Sequence, residues 1–255
     1  MKKLFLATLT AGCAVATGST TAAYFHSDFD EASLGAIAGL NIDDPNGADG
    51  ITATLDTVND TLDFDAANGL NNDMWGGRTG TVIAWVAAPT VSNGETWSVE
   101  TFVSMVDNGA NAQEVAGIGF YGADGTVPNF GLGLDDWNGW NARLQGFGDN
   151  NPNVGSPSLG AAPGVFLRVE ITQNDGGNDV YNFFWKVNSG DAWTQLGGVA
   201  TNFTINTADS RVGLFHKNDT SGGGAAQFDY LTITPEPSSL ALLGLGGLLV
   251  ARRRR

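Results

Sequence analysis

Two tryptophans stand among acids and amides in the run Asp135-Asp136-Trp137-Asn138-Gly139-Trp140-Asn141. Indole faces stack on sugar rings while carboxylates and amides bond the sugar hydroxyls. Asp135, Asp136, Trp137, Asn138 and Trp140 therefore form a candidate carbohydrate-binding loop. The competing reading has one or both rings capping the core, since most tryptophans are largely buried. Trp75, beside Met74 and Gly76-Gly77, is a sparser feature of the same kind.

Other chemistry is thinly provided. His26 and His216 fall near opposite ends of the chain, with no HExxH or His-x-His spacing, and read as structural or surface histidines. No Gly-x-Ser-x-Gly elbow, phosphate-binding glycine loop or zinc spacing occurs. The single cysteine, Cys13, lies in the leader, so the exported part has neither a disulfide nor thiolate chemistry.

The elements that must position these residues are bounded by length and composition. The chain has 255 residues, 42% of them hydrophobic, enough for one large domain with a core of its own. Its 36 glycines show no three-residue period, which excludes collagen and favours turn-rich β structure. Residues 24–234 carry six basic and 26 acidic side chains, a balance of −20. Such a surface repels nucleic acid and anionic lipid and attracts cations, Ca²⁺ among them; solubility alone is the plainer reason for it.

Both ends carry address signals. Lys2 and Lys3 precede the apolar Leu4-Phe5-Leu6-Ala7-Thr8-Leu9, and small residues run to Ala23. These are the three parts of a signal peptide over residues 1–23, to be cut by signal peptidase after Ala23. A lipoprotein reading would lipidate Cys13, although Leu9 sits one place too far from it. At the other end, residues 235–255 form a tail: Pro235-Glu236-Pro237, then an apolar stretch, then Arg252 to Arg255. The 14 residues 238–251 would span ~21 Å as a helix, short of the ~30 Å hydrocarbon core, so this short transmembrane segment suits a temporary membrane stop. The terminal arginines hold it at the cytoplasmic headgroups.

This order of elements resembles the PEP-CTERM sorting signal. The resemblance implies recognition by an exosortase, cleavage near Pro235-Glu236-Pro237, and delivery to the cell surface, outer envelope or extracellular matrix of a Gram-negative bacterium, where exopolysaccharide and biofilm are made. It fixes destination without fixing activity.

Between the ends, residues 24–234 show short alternating runs and no sustained helical period. In Val165-Phe166-Leu167-Arg168-Val169-Glu170-Ile171 the apolar residues share one face and the charges the other. Tyr181, Phe183, Trp185 and Val187 share a face after an Asn/Asp/Gly turn, which predicts a hairpin. Further strands are expected over 80–86, 97–106, 115–121, 129–134, 143–147, 192–196, 211–216 and 225–234. Residues 149–163 lack a pattern and read as a surface loop. The expected fold class is all-β, a two-sheet antiparallel β-sandwich.

The strand order, opening on Ser27-Asp28-Phe29-Asp30 and closing on Gln227-Phe228-Asp229-Tyr230-Leu231-Thr232-Ile233, resembles the concanavalin A-like lectin/glucanase jelly roll, its laminin-G-like modules in particular. Glucanases of that fold carry a Glu-x-Asp-x-(x)-Glu run, and none of Glu31, Glu95, Glu100, Glu114 or Glu170 begins one. The resemblance also implies a structural Ca²⁺ between first and last strands, with Asp28, Asp30 and Asp229 as candidate metal ligands; otherwise these acids are solvated or bond nearby backbone. The expectation is a non-catalytic surface module binding glycan or exopolysaccharide. The alternatives are a structural matrix protein without a discrete ligand and a glycan-active hydrolase.

Overall fold

The structure is a computed structural model. It describes residues 24–43, 51–66, 83–106, 114–121, 130–135, 142–148, 158–160, 164–174, 179–200, 210–218 and 224–236.

The first strands are β1 (Phe25–Ser27), β2 (Asn41–Asp43), β3 (Ile51–Asp56), β4 (Thr61–Ala66) and β5 (Ile83–Ala87). Next come β6 (Thr96–Val106), β7 (Glu114–Tyr121), β8 (Phe130–Asp135), β9 (Ala142–Gly148) and β10 (Ser158–Gly160). The last are β11 (Val165–Thr172), β12 (Val180–Lys186), β13 (Thr194–Ala200), β14 (Arg211–Asn218) and β15 (Gly224–Pro235). One sheet runs β13-β12-β11-β6-β15-β4-β3, with β1 also pairing β15; the other runs β10-β9-β8-β7-β14-β5-β2. The strand pairs are antiparallel, and the fold is the expected two-sheet sandwich.

The predicted hairpin of β11 and β12 forms with Val169 opposite Phe183. Along β11 burial alternates strictly, and Val165, Leu167, Val169 and Ile171 enter the core. Trp97 of β6 meets Phe120 of β7 edge-on at 6.2 Å, and Phe120 meets Tyr181 of β12 at 5.8 Å, so large rings knit the two sheets together. The expected strands from β5 onward are present, but β1 to β4 precede them. β3 and β4 form a hairpin that sends Leu62 and Phe64 into the core and turns at Asp56, whose carboxylate accepts from the Val58 and Asn59 amides. The expected loop over 149–163 is corrected in one place: Ser158–Gly160 pairs with β9. Three residues are too few to show a period.

β15 changes phase along its length. Ala226 and Phe228 enter the core, and then Leu231 and Ile233 do. The shift occurs at a bulge between Phe228 and Tyr230, where Asp229 is the extra residue. On one side β15 pairs with β6 throughout. On the other its neighbour changes from β4, along 224–228, to β1, along 231–233.

Candidate functional site

The outer face of the second sheet is built from glycines. Inward positions Ile118, Phe120, Leu132, Leu134, Val212 and Leu214 fill the core. The alternate positions present Gly117 and Gly119 of β7, Gly131 and Gly133 of β8, and Gly213 of β14. The ladders align Trp85, Gly213, Gly119 and Gly131 in one row across four strands. The next row holds Phe215, Gly117 and Gly133.

These glycines are required by close approach. A Cβ at Gly213 would collide with the Ala84 carbonyl, and one at Gly117 with the Leu132 carbonyl. Phe215 and Val115 occupy the space above Gly133 and are buried, forming a small cluster apart from the main core. At the edge of the first row Trp85 is half-buried, and the Arg211 guanidinium stands 4.0 Å from its ring centroid. The Trp85 indole Nε1 has no hydrogen-bond partner among the described residues.

Asp135, expected in the carbohydrate loop, is the last residue of β8, in register with Val115 and Arg143. Position 135 is four residues from the Gly131 row, or ~13 Å at 3.3 Å per residue. Asp136, Trp137, Asn138 and Trp140 belong to the connection from β8 to β9 and lie outside the described residues, as does Trp75. Trp85 was missed because residues 82–87, Val-Ile-Ala-Trp-Val-Ala, are apolar at every position and show no face.

The expected Ca²⁺ ligands are not gathered to one point. Among the described residues no three His, Cys, Asp or Glu side chains stand close enough to hold a metal. Asp28 is exposed and sits 3.2 Å from His26 Nε2. Asp229 lies on its bulge, where burial raises its carboxyl above the usual range. Burial raises the Tyr230 hydroxyl too, helped by the charges of Glu100, Asp229 and Asp28.

His216, the other histidine, points into the sandwich with Val212 and Leu214. It is fully buried, and neither ring nitrogen has a hydrogen-bond partner among the described residues. Desolvation lowers its pKa from 6.5 to about 4, so the ring is neutral.

The sorting motif joins the first sheet directly. Pro235 pairs with Trp97 at the end of β15. The Glu236 amide donates to the Thr96 carbonyl at 2.9 Å. Arg168, on the outer face of β11, donates to the Glu236 carboxylate at 2.6 Å and also pairs with Glu170 at 2.7 Å and Glu100 at 3.2 Å. Burial raises the Glu100 carboxyl, with Arg168 and Lys186 opposing that rise. The predicted new N-terminus lies alongside, its Tyr24 amide bonded to the Ile233 carbonyl at 2.8 Å. Tyr24 therefore lies beside the end of β15 that leads into Glu236. Pro237 and the residues after it lie outside the described residues, and no helix among those described is long and apolar enough to cross a membrane.

Sandwich and tail together define an exported, exosortase-sorted β-sandwich protein. Residues 234–255 match the PEP-CTERM protein-sorting motif, and Pro235, Glu236 and Pro237 fall within that match. No curated protein matches the chain in sequence. Among solved structures it is similar to xylan beta-1,4-xylosidase from Bacillus Halodurans C-125, with a TM-score of 0.55 and 16% identity over 82% of this chain and 38% of that one. A bifunctional GH43-CE structure from Bacteroides eggerthii gives 0.56 and 16%, over 84% of this chain and 28% of that one. Protein SO2946 of unknown function from Shewanella oneidensis MR-1 gives 0.53 and 14%, over 84% and 86%. The chain spans well under half the length of the first two, and at these identities the likeness is one of fold.

Proposed function

We propose that the domain is a non-catalytic glycan-binding module, carried to the cell surface or extracellular matrix of a Gram-negative bacterium by its sorting tail. The observation that carries the reading is the outer face of the second sheet. There Trp85 flanks a row of backbone bare of side chains, with Arg211 against its ring. A half-buried indole with a guanidinium beside it offers a sugar a stacking face and hydrogen-bond donors together. Residues 136–141, which follow β8 in sequence, carry two further indoles. Support for a non-catalytic role comes from Glu100 and Glu170, whose carboxylates are both engaged by Arg168.

A structural matrix protein without a discrete ligand is favoured by one different observation. The glycines and Phe215 of this face are themselves buried, so packing alone accounts for them.

A glycan array with the exported protein separates the two. On the binding reading Trp137→Ala and Trp140→Ala weaken retention while melting temperatures stay close to wild type, Trp85→Ala weakens retention and also lowers stability through the lost Arg211 contact, and Asp135→Asn and Asp136→Asn weaken retention too. If instead the Trp137 and Trp140 variants each lose ~3–5 kcal/mol of stability, those rings are core caps. A wild-type protein that retains no neutral or acidic polysaccharide leaves the structural reading.

A further inference from the structure

We infer that the folded domain withholds the start of its own sorting motif, so that Glu236 becomes available to the processing enzyme only when residues 234–236 peel from β6. The inference rests on the sorting role of the tail. Its grounds are the contacts of those three residues. Thr234 pairs with Ser98, their hydroxyls 3.0 Å apart. Pro235 pairs with Trp97, and the Glu236 amide is bonded to Thr96. The Glu236 carboxylate is bonded to Arg168, whose side chain is only 17% exposed.

A carboxylate held in this way cannot at the same time enter a recognition pocket, because its charge and its backbone donor are already satisfied within the sheet. The place where the strand can open is also marked. Residues 231–233 lie between β6 and β1, and breaking them out would open two ladders. Residues 234–236 have β6 and Arg168 on one side, with no partner on the β1 side among the described residues.

Arg168 is a weaker clasp than a lone pair would be, since three carboxylates share it and repel one another. Glu100 and Glu170 are positioned to keep the guanidinium occupied when Glu236 leaves. The clasp is thus built to release without stranding a buried charge, which would otherwise be costly.

The test follows tail loss by pulse-chase and mass spectrometry, using the full chain in a host that carries an exosortase. Arg168→Gln should speed tail loss by roughly tenfold, the factor expected on removing one charge-assisted hydrogen bond. It should also abolish hydrogen-exchange protection of the Glu236 amide. As a second variant that adds to the fold, Ser98→Cys with Thr234→Cys places two thiols at directly opposed positions of an antiparallel pair, within disulfide reach. The oxidised lock should slow tail loss, and a reductant should restore it. Equal rates in wild type, Arg168→Gln and the oxidised lock would overturn the inference while leaving sorting intact. A wild-type tail that is never removed would take away sorting itself, and the inference with it.

Discussion

The Arg211 guanidinium lies 4.0 Å from the centre of the Trp85 ring, and the two residues come from β14 and β5, strands far apart in sequence that pair in the second sheet. At that distance the cation interacts with the ring face and contributes ~0.5–2 kcal/mol. Arg211→Ala should therefore lower the unfolding free energy by about 1 kcal/mol, and Arg211→Lys should retain part of it. Urea melts measure the loss. Coincident melts for wild type and Arg211→Ala would show that the pair contributes nothing in solution.

Gly117→Ala and Gly213→Ala should each destabilise the fold, because the added methyl meets backbone that cannot step aside. Overpacking of this kind costs ~1–3 kcal/mol, and more where main chain must shift. Gly190 is the control, with nothing within 4 Å of its Cβ position and no positive φ. Gly190→Ala should be neutral or stabilise by up to ~1 kcal/mol through the unfolded chain. A Gly213→Ala melt matching wild type would mean that the strands part easily at that point.

His216 makes stability depend on acid. Its folded pKa is about 4 against an ordinary 6.5, so between those values the unfolded chain binds a proton that the native state does not. This contribution is whole above about pH 6.5 and is lost as pH falls toward 4, by about 3 kcal/mol in all. His216→Leu removes the titration. The gap in unfolding free energy between variant and wild type should widen as pH drops from 7 to 4, and a constant gap would contradict the buried neutral ring.

With no three-ligand cluster among the described residues, Ca²⁺ should leave the melting curve where EDTA puts it. An ion bound to the native state alone at a hundred times Kd would instead add ~2.7 kcal/mol. Thermal scans in the two conditions decide it, and a Ca²⁺-dependent rise sensitive to Asp28→Asn would show that the acids are brought together in solution.

The sequence by itself determined the address, the fold class and most of the strands. A leader, a Pro-Glu-Pro tail and an alternating run such as 165–171 are local signals, written within a few residues of one another, and need no partner to be read. Tertiary structure decided what those signals touch. Arg168 reads from its neighbours only as the outward residue of a half-buried strand; its hold on Glu236, 68 residues away, depends on β6 bringing β11 and β15 to either side of it. In the same way Gly119, Gly131 and Gly213 read as scattered glycines until register aligns them beside Trp85. Asp135 reads in the sequence as the opening of a polar loop, and only pairing makes it the last residue of β8, whereas Trp85 is hidden in an apolar run. The phase of β15 likewise turns on a bulge at Asp229, where the strand exchanges β4 for β1. Alternation within a strand depends on chain geometry alone, while pairing and register depend on which distant strand completes the hydrogen bonds and fills the core. That choice is made by the whole fold.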